Sequence, residues 1–120
     1  MPRCGIDMIE VQRVHDGIER FGEQFLNRFF TENERADCKG QVHRLAARIA
    51  AKEAVAKALG TGIGDVKWIE IEVRINNAHN RPTVHLHGAA AALSQAMGLT
   101  AWEISLTHTD EYASAIAIAW

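Results

Sequence analysis

The stretch from residue 42 to 59 constrains this chain more than any other, because alanine recurs at positions 46, 47, 50, 51, 54, 56 and 58. Val42, Leu45, Ile49 and Ala56 fall on one stripe at helical spacing, and Gly60 stands where a C-terminal stop is expected. A helix so poor in bulk cannot fill a wide gap, so whatever packs on it must come very close. The C-terminal segment carries a similar device in strand form. Ile116, Ile118 and Trp120 alternate with Ala115, Ala117 and Ala119, which leaves an alanine face open to close approach.

The other periodicities fill in the fold. Residues 5–11 read as a strand with an acidic residue, Asp7, set inside it. From Val11 the apolar period changes to Val11, Val14, Ile18, Phe21, Phe25 and Phe29, a helical spacing that Gly17 and Gly22 should interrupt. Thr31-Glu32-Asn33-Glu34 fits a capping box and predicts a short helix there. Residues 66–75 alternate, with Ile69, Ile71, Val73 and Ile75 facing one way and Glu70, Glu72 and Arg74 the other, as in a half-buried strand. Residues 76–82 are a turn by composition, and 83–87 supply the second arm of an antiparallel hairpin. Residues 89–97 read as a helix closed by Gly98. Residues 102–107 and 112–119 are two further strands joined through Thr109-Asp110-Glu111. The order βαααββαββ predicts an α+β fold over a single domain, 1–120, with a largely antiparallel sheet packed on the long alanine-rich helix.

Composition removes several functions. With 120 residues and 13.3 kDa the chain is too short for a two-lobed cleft, so a site must lie on one small core or between copies, and self-association is expected. Thirteen Lys+Arg against 15 Asp+Glu give a formal charge of −2, which argues against nucleic acid as a partner. The longest apolar run, 115–120, falls far short of the roughly 20 residues that span a bilayer. The N-terminal Met1-Pro2-Arg3-Cys4-Gly5 has no secretory h-region, so a cytoplasmic location is expected. Cys4 and Cys38 have no Cys-x-x-Cys spacing and read as reduced structural thiols.

Several residues carry possible chemistry. A carboxylate at Asp7, inside an apolar strand, costs free energy unless backbone amides, solvent or a cation meets it. Glu53 lies at the inner edge of the helix's apolar stripe, with Lys57 one turn on; it suits either a surface ion pair or a divalent metal. Arg44, Arg48 and Lys52 make a basic row at i, i+4 spacing, ordinarily a solvated face. That row runs into the glycine-rich turn of Gly60, Gly62 and Gly64, whose amides could approach a phosphate. His108 closes a strand at the mouth of a turn, where it could meet a phosphate or simply be exposed. His85 and His87 share a strand face, but nothing supplies a third zinc ligand.

Together these segments resemble the small single-domain 4′-phosphopantetheinyl transferases of the holo-[acyl-carrier-protein] synthase family. The resemblance rests on Gly5-Ile6-Asp7-Met8-Ile9-Glu10, on Phe29-Phe30-Thr31-Glu32-Asn33-Glu34, and above all on the run from Arg48 through Ala50-Ala51-Lys52-Glu53-Ala54-Val55-Ala56-Lys57-Ala58 to Gly60-Thr61-Gly62. Arg81-Pro82 and Ser105-Leu106-Thr107-His108-Thr109-Asp110-Glu111-Tyr112-Ala113 complete it. It implies transfer of 4′-phosphopantetheine from coenzyme A to a serine of apo acyl carrier protein, with release of 3′,5′-ADP. It implies that Asp7 and Glu53 hold Mg²⁺ and that Lys57 serves the pyrophosphate and leaving group, so that Asp7, Glu53 and Lys57 form the catalytic set. Arg48, His108 and Thr109 would meet the 3′-phosphoadenosine, with Gly60, Gly62, Gly64, Arg81 and Pro82 shaping the cleft. Arg13, Arg20 and Arg28 would steer the acidic carrier, and the family's homotrimer would place sites at subunit interfaces. Ile49 departs from the family's usual aromatic, which would loosen one wall, and Asn80 replaces a glycine. A non-catalytic module that binds coenzyme A or carrier protein is the runner-up reading, and a trimeric α+β structural domain with no ligand is a third.

Overall fold

The computed structural model describes residues 1–76 and 78–120; Asn77, in the expected 76–82 turn, lies outside the described residues. Strand β1 (Arg3–Glu10) leads into helices α1 (Val11–Phe21), α2 (Glu23–Phe29), α3 (Glu32–Cys38) and α4 (Val42–Leu59). A hairpin of β2 (Ile71–Asn76) and β3 (Arg81–Leu86) follows, then α5 (Gly88–Ala96), β4 (Trp102–His108) and β5 (Tyr112–Ala119). The fold is α+β and the pairings between these strands are antiparallel, but among the described residues they form two sheets, β1-β5-β4 and β2-β3, rather than one.

The alanines account for how α4 sits on the larger sheet. In β5, the central strand, Ala113, Ala115, Ala117 and Ala119 are buried and face inward. Ala50, Ala51, Ala54 and Ala58 of α4 are completely buried. Small groups on both sides let helix and sheet backbones meet, and Gly5 of β1 is where they meet most closely. A Cβ at Gly5 would fall inside the van der Waals shell of the Ala54 carbonyl oxygen and 2.9 Å from the Ala58 nitrogen. Gly60 ends α4 in the left-handed region at φ 77°, a conformation glycine reaches without a Cβ penalty. The core around α4 is completed by Ile71 and Val73 of β2, Ala90 of α5 and Ile104 of β4.

Helix α3 begins on the expected capping box: the Thr31 hydroxyl accepts from the Glu34 amide at 3.2 Å, and Glu34 Oε1 accepts from the Thr31 amide at 2.9 Å. Glu34 does more than cap. Its Oε1 accepts a 2.7 Å bond from Lys52 Nζ of α4, and Oε2 accepts from the Val73 amide of β2 at 2.8 Å. Both side chains of the Lys52–Glu34 pair are fully buried. Burial pushes the Lys52 ammonium down from its ordinary pKa, and the Glu34 charge and hydrogen bond oppose that shift. One carboxylate thus joins α3, α4 and β2.

Several sequence expectations change here. The segment from Val11 divides at Gly22 into two helices, one of the outcomes its glycines allow, but α1 runs straight through Gly17, which sits against the Phe25 ring, and four helices rather than three precede the hairpin among the described residues. The strand expected over 66–75 starts only at Ile71, because Trp68–Glu70 form a 3₁₀ turn. Glu70 accepts from the Lys67 amide at 2.6 Å and Lys52 Nζ takes the Trp68 carbonyl at 3.0 Å, so backbone groups a strand would use are committed elsewhere, and Ile69 is exposed. Glu72 is buried rather than solvated, accepting from Thr31 Oγ1 at 2.6 Å and from Asn33, and pairing with His87 Nε2 at 3.1 Å. Burial alone would raise its carboxyl, but those three partners outweigh burial and hold it below the usual range. Arg81 and Pro82 belong to β3, not to the turn. Asn80, before them, takes a positive φ of 53°, a conformation asparagine tolerates.

Replacing Gly5 with alanine is expected to destabilise the protein by about 3 kcal/mol or more, because backbone rather than a flexible side chain must yield. Chemical denaturation of Gly5→Ala beside wild type checks this; an unchanged midpoint would show that α4 and β1 can separate freely.

Candidate functional site

Two clefts hold Asp7, Glu53, Arg13, Arg44, Arg48, Arg81 and Pro82 of the residues singled out in the sequence, and they lie on different sides of α4. The first, about 430 Å³, is lined by Asp7 of β1, Glu53 and Ile49 of α4, Arg13 of α1, Phe29 and Trp68. Asp7 is on the inward face of β1, which brings its carboxylate to the C-terminal half of α4. There Lys57 Nζ donates to Asp7 Oδ1 at 3.1 Å and to the Ile6 carbonyl at 2.9 Å. The helical Glu53–Lys57 ion pair weighed as one reading of the sequence gives way to this cross-element pair. Burial pushes the Glu53 carboxyl up, and the nearby Asp7 charge adds to that, with Lys57 opposing. The corner therefore gathers two carboxylates at close quarters with a single ammonium bound to one of them. Hard oxygen donors held against like-charge repulsion are the donor set that suits Mg²⁺, which takes one or two carboxylates and fills its octahedron with water and phosphate oxygens. Ile49 lines this cleft beside Trp68, and the aromatic wall is made by Trp68 packed on Phe29 with ring centroids 4.7 Å apart and planes tilted by 51°.

The second cleft, about 710 Å³, is basic. Lys39, Arg44, Arg48 and Arg81 line it with Pro82, and Asp37 is its carboxylate. Arg48 is only 3% exposed, and among the described residues its Nε and Nη2 are buried with no hydrogen-bond partner. The expectation that Arg44, Arg48 and Lys52 form a solvated row is thereby corrected: Arg48 and Lys52 are buried, and only Arg44 is exposed. A buried guanidinium with idle N–H groups costs free energy unless an acceptor arrives. Asp37 is engaged elsewhere. Burial would raise its carboxyl, but Arg74, whose Nε donates at 2.9 Å, holds it below the usual range. Arg81 reaches Glu103 at 3.0 Å across the rim.

Helix geometry separates the two sets. At about 100° and 1.5 Å per residue, Arg48 lies about 140° round α4 from Glu53, and about 180° and about 13 Å from Lys57. Gly60, Gly62 and Gly64 follow at the Lys57 end. Their amides donate to the carbonyls of Lys57, Ala56 and Val66, so the turn contributes shape rather than free donors. His108, on the exposed end of β4, stacks on His43 of α4 at 4.7 Å. The Thr109 hydroxyl accepts from the amides of Glu111 and Tyr112 and fixes the β4–β5 turn. Of the three arginines expected to steer a carrier, Arg13 lines the carboxylate cleft, Arg20 stacks on Phe21 at 5.1 Å, and Arg28 lies 5.7 Å from the Phe29 ring. His85 is engaged by Thr83 and His87 by Glu72.

Residues 3–117 match the model of the 4′-phosphopantetheinyl transferase superfamily. The chain belongs to that superfamily, among the holo-[acyl-carrier-protein] synthases. It is 44% identical to the holo-[acyl-carrier-protein] synthase of Chloroflexus aggregans over 97% of this chain and 93% of the relative. It is likewise 44% identical to that of Carboxydothermus hydrogenoformans, over 100% and 98%. Among solved structures, the Helicobacter pylori holo-[acyl-carrier-protein] synthase in complex with coenzyme A superposes with a TM-score of 0.89 at 27% identity, covering 98% of this chain and 99% of that one. The synthase of Neisseria meningitidis gives 0.88 at 29%, covering 98% and 97%. The chain is thus an enzyme of the phosphopantetheinyl transferase class with that family's fold.

Sequence reasoning missed three features of these synthase clefts. Trp68 was read only as part of a strand run, Lys39 not at all, and Asp37 carries no periodic or motif signal. Inorganic phosphate should raise the thermal midpoint of the wild-type protein by giving Arg48 an acceptor. That response should fall at least about tenfold in apparent affinity in Arg48→Met, since a hydrogen bond to a charged group is worth about 1.5–3 kcal/mol; equal responses would mean the buried guanidinium is not the anion's partner.

Proposed function

We propose that this protein transfers 4′-phosphopantetheine from coenzyme A to a serine of apo acyl carrier protein in the cytoplasm, releasing 3′,5′-ADP in a Mg²⁺-dependent reaction. The observation that carries this reading is the buried, unpartnered Arg48 in a basic cleft, matched by a carboxylate corner at Asp7 and Glu53. The serine oxygen forms a bond to the β-phosphorus, the bond from that phosphorus to the bridging oxygen of the pyrophosphate breaks, and 3′,5′-ADP carries the electron pair away. Such transfers demand alignment and charge neutralisation more than covalent help from the protein.

Asp7 and Glu53 would hold the Mg²⁺, which supplies Lewis-acid neutralisation of the pyrophosphate when bound. Lys57, already poised on Asp7 at 3.1 Å, would add a second positive charge on the leaving side. Either Glu53 or a water at the same corner would take the serine proton. Arg48, with Arg81, Pro82, His108 and Thr109, would hold the 3′-phosphoadenosine, while Gly60, Gly62 and Gly64 shape the approach near Lys57. Arg13, beside the carboxylates, and Arg20 and Arg28 on the adjoining helices would steer an acidic carrier.

Because Arg48 and Lys57 face opposite sides of α4, one nucleotide is better met by Lys57 of one copy and Arg48 of another. The sheet supports such an assembly. Ile6, Met8, Ile116, Ile118 and Trp120 stand on its outer face at 40 to 65% exposure, an apolar patch that a homotrimer would cover. Ile116→Lys is therefore expected to dissociate the trimer, as read by light scattering, and to abolish transfer while each chain stays folded. Activity retained in monomers would show a site complete within one chain.

Mass spectrometry of an apo carrier protein incubated with the enzyme, coenzyme A and Mg²⁺ tests the transfer itself. Wild type should add 4′-phosphopantetheine, and Asp7→Ala should lose at least about a hundredfold in rate, about 3 kcal/mol of transition-state stabilisation. If coenzyme A binds but no carrier is modified, the chain is a binding module instead.

A further inference from the structure

His43 sits in the first turn of α4, half-buried, and its ring stacks on that of His108 with centroids 4.7 Å apart and planes 28° from parallel. The neighbours of this stack matter. Arg44 follows His43 on α4 and lines the basic cleft; Ile104 and Leu106, which share a strand face with His108, line the same cleft. The stack therefore stands at the end of that cleft. His108 itself is exposed, at the last position of β4 and beside a turn. No hydrogen bond fixes its ring among those described, so the rotamer it offers a ligand depends on what it leans against. A half-buried imidazole rooted in an 18-residue helix is a rigid support for an exposed one.

We propose that His43 is a positioning residue for the 3′-phosphate of coenzyme A, acting through the His108 ring it holds in place. This rests on the reading above in which His108 meets the 3′-phosphoadenosine. His43 touches no reacting atom, so its effect falls on binding and only on ligands that carry that phosphate. Ring stacking needs a flat face rather than a particular nitrogen, so phenylalanine at position 43 should serve nearly as well as histidine.

The experiment compares KM and kcat for coenzyme A and for dephospho-coenzyme A, which lacks the 3′-phosphate, in wild type, His43→Ala, His43→Phe, His108→Ala and the double alanine variant. Thermal midpoints accompany each to report folding. His43→Ala should raise KM for coenzyme A about tenfold with kcat within about twofold, the scale of one weakened charge-assisted hydrogen bond. KM for dephospho-coenzyme A should not move, His43→Phe should stay within about threefold of wild type, and the double variant should be no worse than His108→Ala. The proposal is overturned if His43→Ala leaves KM for coenzyme A unchanged, if it raises both KM values alike, or if the two alanine effects add. It is overturned through its premise if His108→Ala has no effect on coenzyme A while wild type transfers normally. Absence of transfer by wild type would instead sink the proposed function.

Discussion

The backbone of α4 runs against the backbone of β1 with no side chain between them at Gly5, and the arrangement of the molecule follows from that contact. Any Cβ at Gly5 would collide with the Ala54 carbonyl, so strand and helix can be this close only where one residue lacks a side chain. The alanines of β5 extend the same close approach across the sheet. Close packing sets where Asp7 lies: two residues beyond Gly5, on the same inward face, it comes within 3.1 Å of Lys57. A bulkier interface would move the carboxylate away from the helix that carries its two charged neighbours, Glu53 and Lys57.

The buried Lys52–Glu34 pair plays a different part. Dehydrating two charges is costly, and a hydrophobic pair of similar volume would often be as stable. Here the cost is offset by the rest of Glu34's valences: it caps α3, takes the Val73 amide of β2 and binds Lys52, which also takes the Trp68 carbonyl. The pair ties α3, α4 and β2 together through polar groups. Through Trp68 it also sets the aromatic wall of the cleft next to Asp7 and Glu53. Lys52 thereby adjoins Glu53 in sequence yet faces a wholly different environment, one residue and about 100° round the helix.

Much of the fold could be read in the sequence, and the misses have physical causes. The α4 stripe, its Gly60 stop and the Thr31–Glu34 capping box are local signals, each decided within a few residues, and each appears where expected. The alternation over 66–75 was equally clear, yet Trp68–Glu70 curled into a 3₁₀ turn, because Lys52 takes one of that segment's carbonyls. Gly17 looked like a helix breaker and is instead the floor under Phe25. Arg48 and Lys52 looked like a solvated row, since i, i+4 spacing says only that residues share a helix face and not what that face meets.

By itself the sequence determined the order of the five strands, the antiparallel α+β class, the resemblance to its family and the residue types at each candidate position. Those depend on spacing and on side-chain chemistry, which the chain carries locally. Only the tertiary structure decided that Lys57 binds Asp7 rather than Glu53, that Arg48 is buried with idle N–H groups, and that the carboxylate corner and the basic cleft lie on different sides of one helix. Each of these depends on what an element packs against, and a helix eighteen residues long has every direction open to it until the sheet and its neighbours take their places.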